Sequence, residues 1–153
     1  MRLIPVSASA TFFLLAACGN PPGTTTIRDD SGGQATLATG PAATPPPNLP
    51  AYAPLYPGAR VESSMSGTSS DQDGARQGGM VAFRTADPPE RVANFYRARL
   101  AGANLANRSD ANMNGTLMLA GTDPADADRG VQVSIAPDDG GSFVTLVFSA
   151  SGG

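Results

Sequence analysis

The sequence predicts an α+β fold, an antiparallel sheet of about five to six strands with one helix packed on one face, in the order β-β-α-β-β-β-β. Three observations predict it. Residues 87–103, DPPERVANFYRARLAGA, carry apolar side chains at helical spacing. Residues 130–136 and 142–149 alternate with the two-residue period of a strand. Asn114-Gly115 and Asp139-Gly140 are dipeptides that accept positive φ between paired strands.

Order is expected to begin near Leu55, where Tyr56, Pro57 and Gly58 make a turn ahead of a first strand, Ala59 to Met65. Ser66 to Gln77, rich in Ser, Asp and Gly, reads as a polar loop, and Gly79 to Thr85 as the second strand of a long-looped hairpin. The helix follows. Asp87 is placed to cap its first amides, Pro88 stands where a missing N–H costs nothing, and Glu90 completes a D-x-x-E capping pattern. Val92, Phe95, Tyr96, Leu100 and Ala103 fall on one side, so Phe95 is expected in the core, whereas Arg91, Asn94, Arg97 and Ala98 face water. Gly102 is placed to end the helix. Four strands remain: Asn104 to Arg108, Thr116 to Ala120, Gly130 to Ala136 and Ser142 to Ser149. The last is apolar at both alternate sets of positions, which predicts a central place in the sheet.

The first eighteen residues carry an address rather than a fold. Arg2 forms a short positive region, and Leu3 to Ala17 is an apolar run centred on Phe12, Phe13, Leu14 and Leu15, too short and too interrupted by Pro5, Ser7, Ser9 and Thr11 to span a bilayer. Leu15-Ala16-Ala17-Cys18 then spells LAAC, which resembles the lipobox of bacterial, Gram-negative lipoproteins at every position. That resemblance implies a lipoprotein signal peptide over residues 1–17, diacylglyceryl and fatty-acyl (palmitate-type) modification at Cys18, and a mature chain beginning with that cysteine. Two or more acyl chains hold a protein at a membrane where one binds only marginally. Gly19 after the cysteine implies, by the same resemblance, the outer membrane facing the periplasm rather than the inner membrane.

Residues 18–53 follow as the lipidated Cys18 and a Pro-, Gly- and Thr-rich stretch. With seven prolines from Pro21 to Pro50 and few large apolar side chains, it is expected to be a disordered tether that holds a small domain, residues 54–150, clear of the lipid headgroups. In that C-terminal part, LYPGA at 55–59, GGMVAFRT, DPPERVANFYRARL and the closing FVTLVF together resemble a small uncharacterised domain found after the lipobox in alphaproteobacterial lipoproteins. The resemblance implies no activity.

Composition narrows the function. All ten basic residues are Arg, thirteen residues are acidic, and the net charge of -3 falls to -4 once Arg2 leaves, so a nucleic-acid partner is not expected. The absence of histidine removes the commonest general base and metal ligand near neutral pH, and no lysine stands in. No enzymatic activity, catalytic residue, cofactor or metal site is therefore expected. Asp123, Asp126 and Asp128 with Gly130 fail the spacing of an EF-hand loop and read as a solvated loop. Asp71-x-Asp73-Gly74 and Asp138-Asp139-Gly140 read as turns. Cys18 is the one site residue. The expected protein is a membrane-anchored envelope lipoprotein, a structural or interaction module meeting an envelope protein partner, with a periplasmic small-ligand-binding lipoprotein as the alternative. An internal cavity of a few hundred cubic ångströms would favour the second, and a solid interior with an apolar surface patch the first.

Overall fold

The computed structural model describes residues 23–28, 33–41, 43–71, 74–106 and 108–151; Cys18 and the apolar run before it lie outside the described residues. The fold is α+β, with one antiparallel sheet and one helix among the described residues. The elements are β1 (Gly23–Arg28), β2 (Gln34–Thr39), β3 (Arg60–Asp71), β4 (Gly74–Thr85), α1 (Pro89–Gly102), β5 (Ser109–Met113), β6 (Thr116–Thr122), β7 (Gly130–Asp138) and β8 (Gly141–Ser151). They form an eight-stranded sheet in the order β1-β2-β3-β4-β8-β7-β6-β5. The last strand in sequence thus lies inside the sheet, bonded to β4 and β7, as its apolar sequence requires.

The strand count corrects the expectation of five to six. β1 and β2 fall within the stretch read as tether. GTTTIR and QATLAT contain little that can enter a core, and β1 is exposed along its whole length. These strands are held instead by their backbone ladders, β1 on β2 and β2 on β3. The polar stretch Ser66 to Gln77 also differs. It is the continuation of β3 and β4 as one ribbon, in register from Ser66↔Gly79 to Asp71↔Gly74. Its Ser, Thr and Gly residues suit a sheet that is only half covered, and their composition does not distinguish such a ribbon from a loop. In the same way the strand expected at Asn104 to Arg108 begins at Ser109. Asn104 has φ 55° and leaves the helix end, and Leu105 turns inward at 1% exposure.

One face of the sheet is covered by two pieces. Helix α1 lies over β6, β7 and β8 through Val92, Ala93, Tyr96 and Leu100. Residues 43–56 cross the other half, where Ser64 Oγ donates to the carbonyl of Thr44 at 2.7 Å and Tyr96 Oη to that of Pro54 at 3.1 Å. Ala53, at the end of the expected tether, and Tyr56, in the expected domain, are buried with them. Facing these pieces are Val81, Phe83, Val133, Ile135, Val144 and Leu146, all fully buried. Gly79 is required here, because a Cβ on it would stand 2.5 Å from the backbone carbonyl oxygen of Met65 and 2.8 Å from the Phe148 ring.

The helix start departs in detail from its expected pattern. Pro88 occupies the cap position with extended backbone and no side-chain cap, and Pro89 opens the helix. Asp87 lies one residue too early to cap. It accepts instead from Tyr56 Oη at 2.6 Å and from Arg91 at 2.8 Å, and Glu90 turns to Arg97 at 3.1 Å. Phe95 is only half-buried, edge-on to both Tyr56 and Tyr96, while Tyr96 is the fully buried ring. Arg97 does not simply face water but chelates Asp110 of β5 at 2.6 and 3.1 Å. The Asn114-Gly115 turn has both residues at positive φ, 52° and 88°, as its sequence requires.

Candidate functional site

Alternation along each strand places every second side chain on the face opposite α1, and no described segment packs over its centre. Across the strands in register, Leu37, Met65, Met80, Val147, Gln132 and Ala120 form one row of this open face. Ala35, Gly67, Gly78, Ser149, Gly130 and Thr122 form the next. Thr39, Ser63, Ala82, Thr145, Ser134 and Met118 flank the first row on its other side. None of these three rows contains a charged residue, although the chain has thirteen acidic and ten basic ones.

The relief of this face follows from residue size. Large side chains at Leu37, Met65 and Val147 stand 43–44% exposed, and Ile27 on β1 is 66% exposed. The small residues Ala35, Gly67 and Gly78 leave a trough beside them. Two adjoining grooves share that floor. One, of about 430 Å³, runs from Ile27 over Gly67 and Gly78 to Arg76. The other, of about 380 Å³, is bounded by Met65, Met80, Val147 and Phe148. Gly67 meets only the Gln34 carbonyl, 3.4 Å from where a Cβ would stand, so the trough is there because a side chain was left out rather than because one could not fit.

Charges sit at the margins and are paired. Arg76 bonds Asp128 at 3.0 Å, while Arg84 lies over the Phe143 ring and pairs with Asp138 and, at 3.4 Å, with Glu62. The acidic loop is similarly engaged. Asp123 accepts from the backbone N–H of Ala125 at 2.9 Å and from Arg129 at 2.5 Å, and these bonds hold its carboxyl below the usual carboxylate range. Asp126 accepts from the N–H of Asp128 at 3.0 Å and from the Ser151 hydroxyl at 2.6 Å. The loop's own carboxylates thus tie it to its backbone, to Arg129 and to Ser151. A separate crevice of about 400 Å³ lies between Tyr52 and the C-terminal end of α1, with Arg129 stacked on the Tyr52 ring at 4.7 Å.

A family model described as START domain-like matches residues 61–141, just over half of the chain. The chain belongs to the START domain-like family. The START domain-like stretch takes in β3 to β7 with α1 and stops where β8 begins, so β1 and β2, which bring Ile27, Ala35 and Leu37 to the open face, lie outside it. No curated protein and no solved structure matches the chain.

Cys18, the site residue expected from sequence, falls outside the described residues. The open face is not among the sequence expectations. Its signal is present in the alternate positions Met65, Met80 and Val147, but only the pairing of β2, β3, β4 and β8 brings them into one row.

Proposed function

We propose that this protein is a lipid-anchored, non-enzymatic module of the cell envelope that works by binding, with the open face of its sheet as the contact surface. The observation that carries this reading is the uncharged face itself, where Leu37, Met65, Met80 and Val147 stand in one row beside a trough. Soluble domains rarely leave contiguous apolar surface without a use for it. The LAAC sequence supplies the anchor at Cys18, Gly19 directs it to the outer membrane facing the periplasm, and the partner is another envelope component. The absence of histidine and lysine supports a binding role over a catalytic one.

The test is recovery of envelope components with the lipidated protein. Charges introduced as Met65→Glu and Val147→Glu should abolish recovery without unfolding the domain, because both side chains are already half in water. Equal recovery by this variant and the wild type would place the contact elsewhere.

A second reading is favoured by family membership, which is compatible with binding of a small ligand. The ligand would be apolar and would lie in the grooves of the open face, whose volumes match those of small-molecule sites. Between α1 and the sheet, by contrast, Tyr96, Val133 and Leu146 are buried against one another in the core. Gly67→Leu should fill the trough and lower affinity for an apolar fluorescent probe. Unchanged probe binding would count against a small-ligand role at this face.

A further inference from the structure

We infer that the open face of the sheet rests on the bilayer that holds the anchor, so that phospholipid acyl chains and headgroups, rather than a protein, cover Leu37, Met65, Met80 and Val147. The inference deepens the contact surface proposed above and rests on lipidation of Cys18.

Chain length is the first argument. A disordered spacer of roughly 35 residues would let the domain float about 30 to 35 Å from the lipid. The structure leaves no such spacer, because β1 already starts at Gly23. From Cys18 to Gly23 is five residue steps, which reach at most about 18 Å when fully extended. The sheet from β1 across to β8 is itself about 19 Å wide, at about 4.8 Å between neighbouring strands. The anchor is therefore shorter than the face it leads to.

The point of attachment is the second. Gly23 is in register with Thr39, which pairs with Ser63, and Ser63 with Ala82. This row lies immediately beside the one containing Leu37, Met65, Met80 and Val147. The anchored chain thus joins the sheet at the edge of the apolar row, on a strand whose Ile27 is the most exposed large apolar side chain described. A short link of this kind confines the face to a high local concentration of lipid, so even weak adhesion becomes lasting contact.

Charge is the third. The mature chain is acidic, and an acidic surface is repelled by anionic headgroups. Yet the three central rows of the open face carry no carboxylate at all, while Asp87, Asp110 and Glu90 lie on or beside α1, on the covered side or its margin. The centre of the surface that would meet the headgroups is free of acids, and Asp128, Asp138 and Glu62 at its margins are paired with Arg76 and Arg84.

The experiment uses the full lipidated protein reconstituted into vesicles of phosphatidylethanolamine and phosphatidylglycerol. With Cys18 consumed by its lipid, Met65→Cys or Val147→Cys supplies a single free thiol on the open face, and Ala98→Cys one on the exposed side of α1. Each is labelled with an environment-sensitive fluorophore and exposed to quenchers carried on the lipid acyl chains. Labels at 65 and 147 should shift to shorter wavelength and be quenched several-fold more than the label at 98. Equal, water-like emission from all three while the protein still floats with the vesicles would overturn the docking and leave the anchor standing. Protection of 65 and 147 only after an envelope protein fraction is added would overturn it in favour of a protein partner. Protection without lipid quenching, rising with protein density, would overturn it in favour of a second copy. Mass measurement of the same sample shows whether Cys18 is acylated, and an unmodified thiol there would overturn the anchor and the docking together.

Discussion

The two faces of the same sheet are built from alternate residues of the same strands, and they meet opposite fates. On β8, Val144, Leu146 and Phe148 are buried beneath α1 and residues 43–56, whereas Val147, between two of them, is 44% exposed. On β4, Val81 and Phe83 have no exposure, while Met80 lines a groove. Side-chain chemistry does not separate these positions, since both sets are apolar. What separates them is that, among the described residues, helix α1 and the crossing segment 43–56 cover one face only. An apolar residue on the uncovered face stabilises the domain little, so its presence there is better explained by contact with something else.

The largest expected effects lie on the covered face. Leu146→Ala should cost about 2 to 5 kcal/mol and Tyr96→Ala about 3 to 5 kcal/mol in equilibrium denaturation, because both leave a cavity beneath α1. The next effect tests the edge of that region. Phe95 is half-buried, so Phe95→Ala should cost about half of the roughly 3 to 5 kcal/mol of a fully buried ring. A loss equal to that of Tyr96→Ala would show that the aromatic edge at Tyr56 is as critical as the core.

Smaller again is the tie between α1 and β5. Arg97 is a third exposed on its side chain and bonds Asp110 in a paired geometry, so Arg97→Ala should cost about 0.5 to 1 kcal/mol, less at high salt. Acid should release the same contacts. The bond from Arg97 holds the Asp110 carboxyl below its ordinary value, and the bond from Tyr56 does the same for Asp87. A carboxylate lowered in the folded state contributes stability that is complete above its unfolded pKa of about 3.9 and is lost as pH falls through the folded value. Thermal melts should therefore be level above about pH 5 and fall below about pH 4, and a melt unchanged at pH 2 would show that these ion pairs do not hold the helix end.

The smallest stability effect is expected on the open face. Val147→Thr should change stability by less than about 0.5 kcal/mol while weakening recovery of envelope components. Should it destabilise the domain as Leu146→Ala does, the contrast between the two faces would collapse.

Parts of this arrangement are legible in the local sequence. The inward stripe of α1 is readable in Val92, Tyr96 and Leu100, because a helix writes its face into local spacing. The turn at Asn114-Gly115 is readable because only a few residue types accept positive φ. The alternation of Val131, Val133 and Ile135 marks β7 in the same way. β1, β2 and the outer half of the β3–β4 ribbon are not readable. Thr, Ser, Ala and Gly are used in loops as readily as in strands that lack a covering layer, and the bonds that make them strands come from residues distant in sequence.

By itself the sequence determined the α+β class, the central place of the last strand and the buried side of the helix, and it carries the LAAC motif on which the proposed anchor at Cys18 rests. Each depends on neighbours a few residues apart. Tertiary structure alone decided that two more strands extend the sheet toward the N-terminus, that Asp87 holds Tyr56 instead of capping the helix, and that Leu37, Met65, Met80 and Val147 share one uncharged face. Those outcomes depend on strand order and register, which set residues as distant in sequence as Arg76 and Ser151 side by side through backbone hydrogen bonds, and no local pattern encodes them.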